Sequence, residues 1–262
     1  MLLAAPITDP GTANRRVWAQ GRYLRAYATQ ELRPVEAAIM ARHRERLSGR
    51  VLEAGVGAGR IAGHLIKLAD ELYGIDLSWR MIEECRRRYP EATFLEGDIS
   101  DLSHFPDGTL DALWAGCNLL DIFDDAERRS TLREIHRVLA PGGLLVMSSH
   151  NRAYLSRIPG PLYVRTSSML RFLLDVLRVP RSLWRRWRLG RLEQEHPDYA
   201  IVNDDAHGYA LVHYYTMVPA QVRQLGQEGF RTLECLDLTG RPLAAGETAP
   251  ECVELHYVAV AL

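Results

Sequence analysis

The sequence predicts an α/β fold built on a mostly parallel, doubly wound sheet, and three observations predict it. From Arg50 onward, short apolar runs alternate with amphipathic stretches, the pattern of strands covered by helices on both faces. The first run ends in a glycine-rich turn, Glu53-Ala54-Gly55-Val56-Gly57-Ala58-Gly59, that opens a helix. The second and third runs each end near an acid, Asp76 and Asp98.

Taken in order, residues 15–47 carry Trp18, Tyr23, Tyr27, Val35, Ile39 and Met40 at helical spacing, with Pro34 suited to a helix start. Strands are predicted near 50–54, 71–75, 92–96, 110–115 and 143–149, and helices near 59–69, 78–89 and 125–139. The turn Pro141-Gly142-Gly143 ends the last of these helices. The stretch 152–205 is less regular, with Pro159-Gly160-Pro161, an apolar segment at 169–179 and a basic, tryptophan-bearing segment at 181–191. A strand over Gly208–Met217, a helix over Pro219–Glu228, and two strands, Arg231–Leu238 and Cys252–Ala261, able to form a terminal hairpin, complete the chain. The expected organisation is an N-terminal helical cap (1–48), a ligand-binding α/β domain (49–151 and 217–262), and a helical insertion (152–216) forming a pocket or lid.

Composition narrows the function classes. With 47% hydrophobic and 25% charged residues and a net charge of −1 over 262 residues, the chain has no global bias toward nucleic acid or membrane. Its basic residues are arginine save Lys67, a mark of GC-rich coding. Cys85, Cys117, Cys235 and Cys252 have no paired short spacing, so neither a disulfide framework nor a structural metal is expected. No leader and no run of about 18 apolar residues is found, so a cytoplasmic protein without a membrane span is expected.

Glycines in the first loop let the backbone adopt positive φ and approach a ligand closely, but dinucleotide-binding folds share that spacing. The neighbouring residues are more selective. An acid precedes the loop; Tyr73-Gly74-Ile75-Asp76-Leu77-Ser78, Glu96-Gly97-Asp98-Ile99 and Pro141-Gly142-Gly143 follow in order. Over about residues 50–150, and weakly over 217–262, the chain resembles the class I S-adenosylmethionine-dependent methyltransferases. The resemblance implies a Rossmann-like, seven-stranded sheet and S-adenosyl-L-methionine as cofactor. It gives Asp76 the ribose hydroxyls and Asp98 the adenine amino group, with Ile99 beside it and Leu77 against the adenine face. Glu53 and Gly55, with Gly57 and Gly59, match the loop that meets the amino acid end, and Cys117 and Asn118 flank the methionine portion. A carboxylate at Glu53 suits an ammonium and would repel a diphosphate. Tyr23 and Tyr27, four apart on one helical face, could cover the cofactor carboxylate or simply pack in the core.

Methyl transfer from a sulfonium needs alignment, exclusion of water and sometimes a base. His150 and Asn151 follow the fifth strand, at the edge where open α/β sheets place their sites, and His150 is the first candidate base. His213 with Tyr215, or Tyr214 alone, would face the ligand if their strand returns over the pocket; packing is the alternative. The expected function is therefore methylation of a small-molecule acceptor in bacterial specialised metabolism, by a transferase for which a homodimer is allowed and nucleic acid is not expected. Three alternatives stay open: intramolecular alkyl transfer or cyclisation of S-adenosylmethionine itself, an NAD-dependent oxidoreductase, and an RNA- or membrane-binding module using the arginine-tryptophan segment.

Overall fold

The computed structural model describes residues 9–19, 31–158 and 169–262, with backbone alone over 169–178. Helix α1 (Pro10–Trp18) begins on a proline, whose missing N–H is no loss in a first turn, and Asp9 caps it by accepting from the Thr12 N–H at 2.7 Å. Helix α2 (Pro34–Arg42) starts in the same way, and Glu36 reaches back to the Arg33 N–H.

The regular half follows as β1 (Arg50–Ala54), α3 (Ala62–Leu65), β2 (Glu71–Asp76), α4 (Trp79–Arg88), β3 (Thr93–Glu96), β4 (Leu110–Ala115), α5 (Asp125–Val138) and β5 (Leu139–Asn151). All four pairings among these strands are parallel and give the order β3-β2-β1-β4-β5. Beyond them lie α6 (Met169–Leu189), β6 (Gln194–Glu195), β7 (Tyr199–Val202), β8 (His213–Thr216), α7 (Val218–Gln227), β9 (Phe230–Leu236) and β10 (Glu254–Ala261). Strand β10 runs antiparallel to β5 and β9 antiparallel to β10, which is the expected terminal hairpin.

Apolar runs without alternation are explained by burial of both faces. On β4 and β5, Leu113, Ala115, Leu145 and Met147 join one core cluster while Ala112, Trp114, Leu144 and Val146 join the cluster on the opposite face. No helix among the described residues is long and apolar enough to cross a membrane.

The structure departs from the sequence expectations in three places. Among the described residues the sheet has ten strands instead of seven: β5 runs to Asn151, past its last β4 contact at Met147, and β8 pairs in parallel with His150 and Asn151. Because His150 is flanked by Glu254 of β10 and Tyr215 of β8, β8 occupies the edge that β4 has left. Strands β7 and β6 then pair outward from it, so segment 194–216 is built into the sheet. The helix expected over 59–69 is regular only at Ala62–Leu65, since His64, Lys67 and Leu68 bond three residues back, the tighter 3₁₀ pattern. Finally, the apolar segment and the basic segment as far as Leu189 lie on the single helix α6, which contains Pro180.

Candidate active site

The carboxyl ends of β1, β2 and β4, with the first turn after β3, surround a cavity of about 270 Å³. Its floor is the loop after β1, where Gly55 and Gly57 take φ of +66° and +54°. A side chain at Gly55 would place its Cβ 2.9 Å from Leu119, so glycine is required there both for conformation and for space. Gly59 does not line the cavity; its φ is +80°, and an added Cβ would lie 2.7 Å from the Tyr89 ring. That glycine serves close packing of the loop against α4.

Glu53, at the end of β1, is 4% exposed and lines the cavity. One of its oxygens has no hydrogen-bond partner although it is buried. Burial raises its carboxyl well above the ordinary range, opposed by the nearby Arg60 guanidinium and the Ala62 N–H. Arg60 is itself committed to Glu36, at 2.5 and 2.8 Å. A buried carboxyl short of a partner is an acceptor awaiting a donor from the cavity.

Asp76, Leu77, Asp98 and Ile99 all line the cavity, as do Cys117 and Asn118. Asp76 accepts from the N–H groups of Gly57 and Ser78, each at 2.9 Å, yet burial still raises its carboxyl. Asp98 accepts from the Ser100 N–H at 2.9 Å and is ion-paired with Arg15 of α1. Each oxygen keeps a second lone pair.

After β4 the backbone is strained: Cys117 and Asn118 have φ of +54° and +57° in succession. The turn delivers the Asn118 N–H to Ser148 Oγ at 2.7 Å and its side-chain amide to His150 Nε2 at 3.2 Å and Glu254 at 2.7 Å. Three residues on, Asp121 is fully buried and paired with fully buried Arg128 at 2.5 Å. Its other oxygen accepts from both the backbone N–H and Nδ1 of His150, at 2.6 and 2.7 Å. Burial works against a charged His150 ring, but Asp121, with Asp204 and Glu254, outweighs it, so the pKa is raised.

Of the four candidate catalytic residues the structure brings His150 and His213 to the cavity wall and not Asn151 or Tyr215. Asn151 instead donates to the carbonyls of Thr248 and Ala249, both at 2.8 Å, and fastens the end of β5 to the loop before β10. Tyr215 lies one layer behind, its ring 4.8 Å from that of His150 and its hydroxyl donating to Asp204 at 2.7 Å. Asp204 also pairs with His213 Nδ1 at 2.7 Å. Burial would raise the Asp204 carboxyl, but His213 chiefly, then His150 and Tyr215, hold it far below its ordinary value. Tyr23 and Tyr27 lie outside the described residues.

Several cavity residues escaped the sequence reading. Trp18 of α1 reaches the cavity beside His207, their rings meeting edge to face at 5.2 Å. Arg33, Arg60 and Glu254 also line it. Glu254 accepts from Arg33, and although burial raises its carboxyl, His256, Arg33 and His150 together bring it to about 2. Asp121 stands behind His150. Position after β4 was the available signal for Asp121; Glu254 had none, because only the β5–β10 register puts it beside His150.

Residues 51–143 match the family described as "Methyltransferase domain". A probable S-adenosylmethionine-dependent methyltransferase of Mycolicibacterium smegmatis is 33% identical over 112 residues, 42% of either chain. The trans-aconitate 2-methyltransferase of Methylobacterium nodulans is 33% identical over 132 residues, 50% of this chain and 48% of that one. The chain thus spans less than half the length of these curated relatives. Among solved structures, a Burkholderia thailandensis 1,6-didemethyltoxoflavin-N1-methyltransferase, holding S-adenosylhomocysteine, superposes with a TM-score of 0.61 at 14% identity, covering 99% of this chain and 93% of that one. A Clostridium acetobutylicum S-adenosylmethionine-dependent methyltransferase gives 0.62 at 13% identity over 93% and 97%. The fold is theirs, and residues 51–143, which carry the glycine loop, Asp76 and Asp98 around one cavity, match a methyltransferase domain.

Proposed function

We propose that the chain binds S-adenosyl-L-methionine in this cavity and methylates a small-molecule acceptor at the end where His150 and His213 stand. The observation that carries the reading is Glu53: a buried carboxyl with an unpartnered oxygen, in a loop of positive-φ glycines, fits an ammonium. A dinucleotide would bring a diphosphate to the same loop, where Glu53 offers it no positive charge and, once ionised, repels it. Asp76 holds the ribose hydroxyls with the lone pairs that Gly57 and Ser78 leave, Leu77 and Ile99 enclose the adenine, and Asp98 accepts from its amino group. Gly55 lets the amino acid end lie close to the backbone. The bound group supplies a methyl on a sulfonium.

This chain's own residues handle the acceptor. Asp121, fixed by Arg128, sets the proton of neutral His150 on Nδ1 and leaves Nε2 as an acceptor toward Asn118. That nitrogen is the group placed to take a proton from an acceptor hydroxyl or amine. The relatives named for trans-aconitate and toxoflavin precursors support acceptors of this size.

The test is incubation with methyl-labelled S-adenosylmethionine and a small-molecule extract, followed by mass spectrometry. Label is expected in a metabolite, and Asp76→Ala should abolish it. Consumption of the labelled compound with no acceptor present would overturn intermolecular transfer in favour of an intramolecular reaction.

A further inference from the structure

We propose that His150, Asp204 and His213 form a binding site for one divalent first-row transition cation at the acceptor end of the cavity. One nitrogen from each ring and one Asp204 oxygen lie within 4.8 Å of one another. The ring centroids of His150 and His213 are 4.8 Å apart. Two imidazoles bound side by side to one ion at ~2.1 Å would put their centroids about 4.5–5.3 Å apart, a range that includes the observed separation.

The surroundings also suit a cation. A metal-bound histidine ordinarily gives its other N–H to a carboxylate, and His150 Nδ1 does so to Asp121 at 2.7 Å. Tyr215 donates to Asp204 at 2.7 Å and so fixes the carboxylate beside the two rings. Two histidines and one carboxylate occupy one side of an ion and leave its other positions open. Both histidines line the cavity, so the open positions face the space where an acceptor would sit. The sequence pointed to no metal because the three residues come from separate segments, the end of β5, the turn before β8, and β8 itself.

The inference rests on the methyl-transfer reading and deepens it by naming an acceptor class: a molecule with two adjacent oxygens, a hydroxyl next to a carbonyl, carboxylate or second hydroxyl, that chelates the ion. Coordination lowers the hydroxyl pKa and its proton leaves to solvent. The bound oxygen then forms the bond to the methyl carbon as the carbon–sulfur bond breaks, its electron pair remaining on sulfur. With the ion present, His150 is a ligand and is relieved of the proton.

The experiment uses tag-free protein stripped with chelator and dialysed. Calorimetric titration with Zn²⁺ should show one equivalent bound, and Asp204→Asn or His213→Gln should weaken it by about 100-fold or more. S-adenosylhomocysteine binding, measured in parallel, should change less than about threefold in both variants, while His104→Gln, at an exposed histidine, should leave Zn²⁺ binding intact. X-ray absorption of the Zn²⁺-loaded wild type should count two imidazoles, a result independent of whether any variant folds. Absence of uptake, uptake indifferent to both substitutions, or a shell without two imidazoles would overturn the site. Failure of the wild type to bind S-adenosylhomocysteine while taking up Zn²⁺ would instead sink the methyl-transfer reading and leave the cation site standing.

Discussion

Glu53→Gln separates binding from stability at one atom. In the free protein the buried, unpartnered oxygen is a cost: a polar group left unsatisfied in the interior loses about 1–3 kcal/mol. The carboxyl is raised by burial, so its folded value lies above its unfolded one. Its contribution to stability is then fully present below the ordinary carboxylate value and is lost as pH rises through the folded value. Near neutral pH the glutamine, which carries no titrating charge, should be more stable than wild type. Each 1 kcal/mol would raise Tm by about 2–4 °C in a chain of this size. When an ammonium enters, the order reverses, because a charge-assisted bond to the carboxylate is worth about 1.5–3 kcal/mol and the glutamine, though its oxygen can still accept, lacks the charge that supplies it. S-adenosylhomocysteine, which carries the same ammonium, should therefore bind about 10- to 150-fold more weakly by calorimetry. In wild type the ammonium also draws Glu53 into its ionised form, so binding should release a proton, visible as heat that depends on the buffer's ionisation enthalpy. Unchanged affinity in the variant, or a variant less stable in the free form, would refute the assignment of Glu53 to the ligand's cation.

Other outcomes follow from the same geometry. Gly55→Ala must adopt a φ of +66° and push Leu119 aside, so ligand binding should fall at least tenfold with stability lower by about 1–3 kcal/mol, read by calorimetry and thermal melting. Asp121→Asn strips the charge partner from fully buried Arg128 and should destabilise the fold by about 3–5 kcal/mol in denaturant unfolding, while Arg15→Gln, at a side chain 26% exposed, should cost less. His150→Ala should slow turnover and leave S-adenosylhomocysteine affinity within about threefold; full activity would remove His150 from the chemistry.

The ligand-binding half was legible because its signals are local. Glycines with positive φ, acids at strand ends and continuous apolar runs each report on a few neighbouring residues, and β1, β4 and the hairpin of β9 and β10 fall where those signals put them. The acceptor end was only half legible. His150 stood out by its place at the end of β5, but its partners Asp121, Asp204, His213 and Glu254 reach it from four other segments brought together by the fold. A period-2 strand told that His213 and Tyr215 share a face, as they do through Asp204, yet not that Tyr215 would sit behind the wall. Asn151 misled because a polar residue at a strand end satisfies loop carbonyls as readily as it serves a ligand. The strands β6–β8 were read as an insertion because nothing in their own residues says that β5 continues past β4 and needs a neighbour.

Calorimetric titration of the purified chain with S-adenosylhomocysteine, and separately with NAD⁺, bears most directly on what this cavity holds. Binding of one equivalent of S-adenosylhomocysteine, weakened by Glu53→Gln and by Asp76→Ala, with no heat from NAD⁺, is the predicted result; NAD⁺ binding with no response to S-adenosylhomocysteine would contradict it.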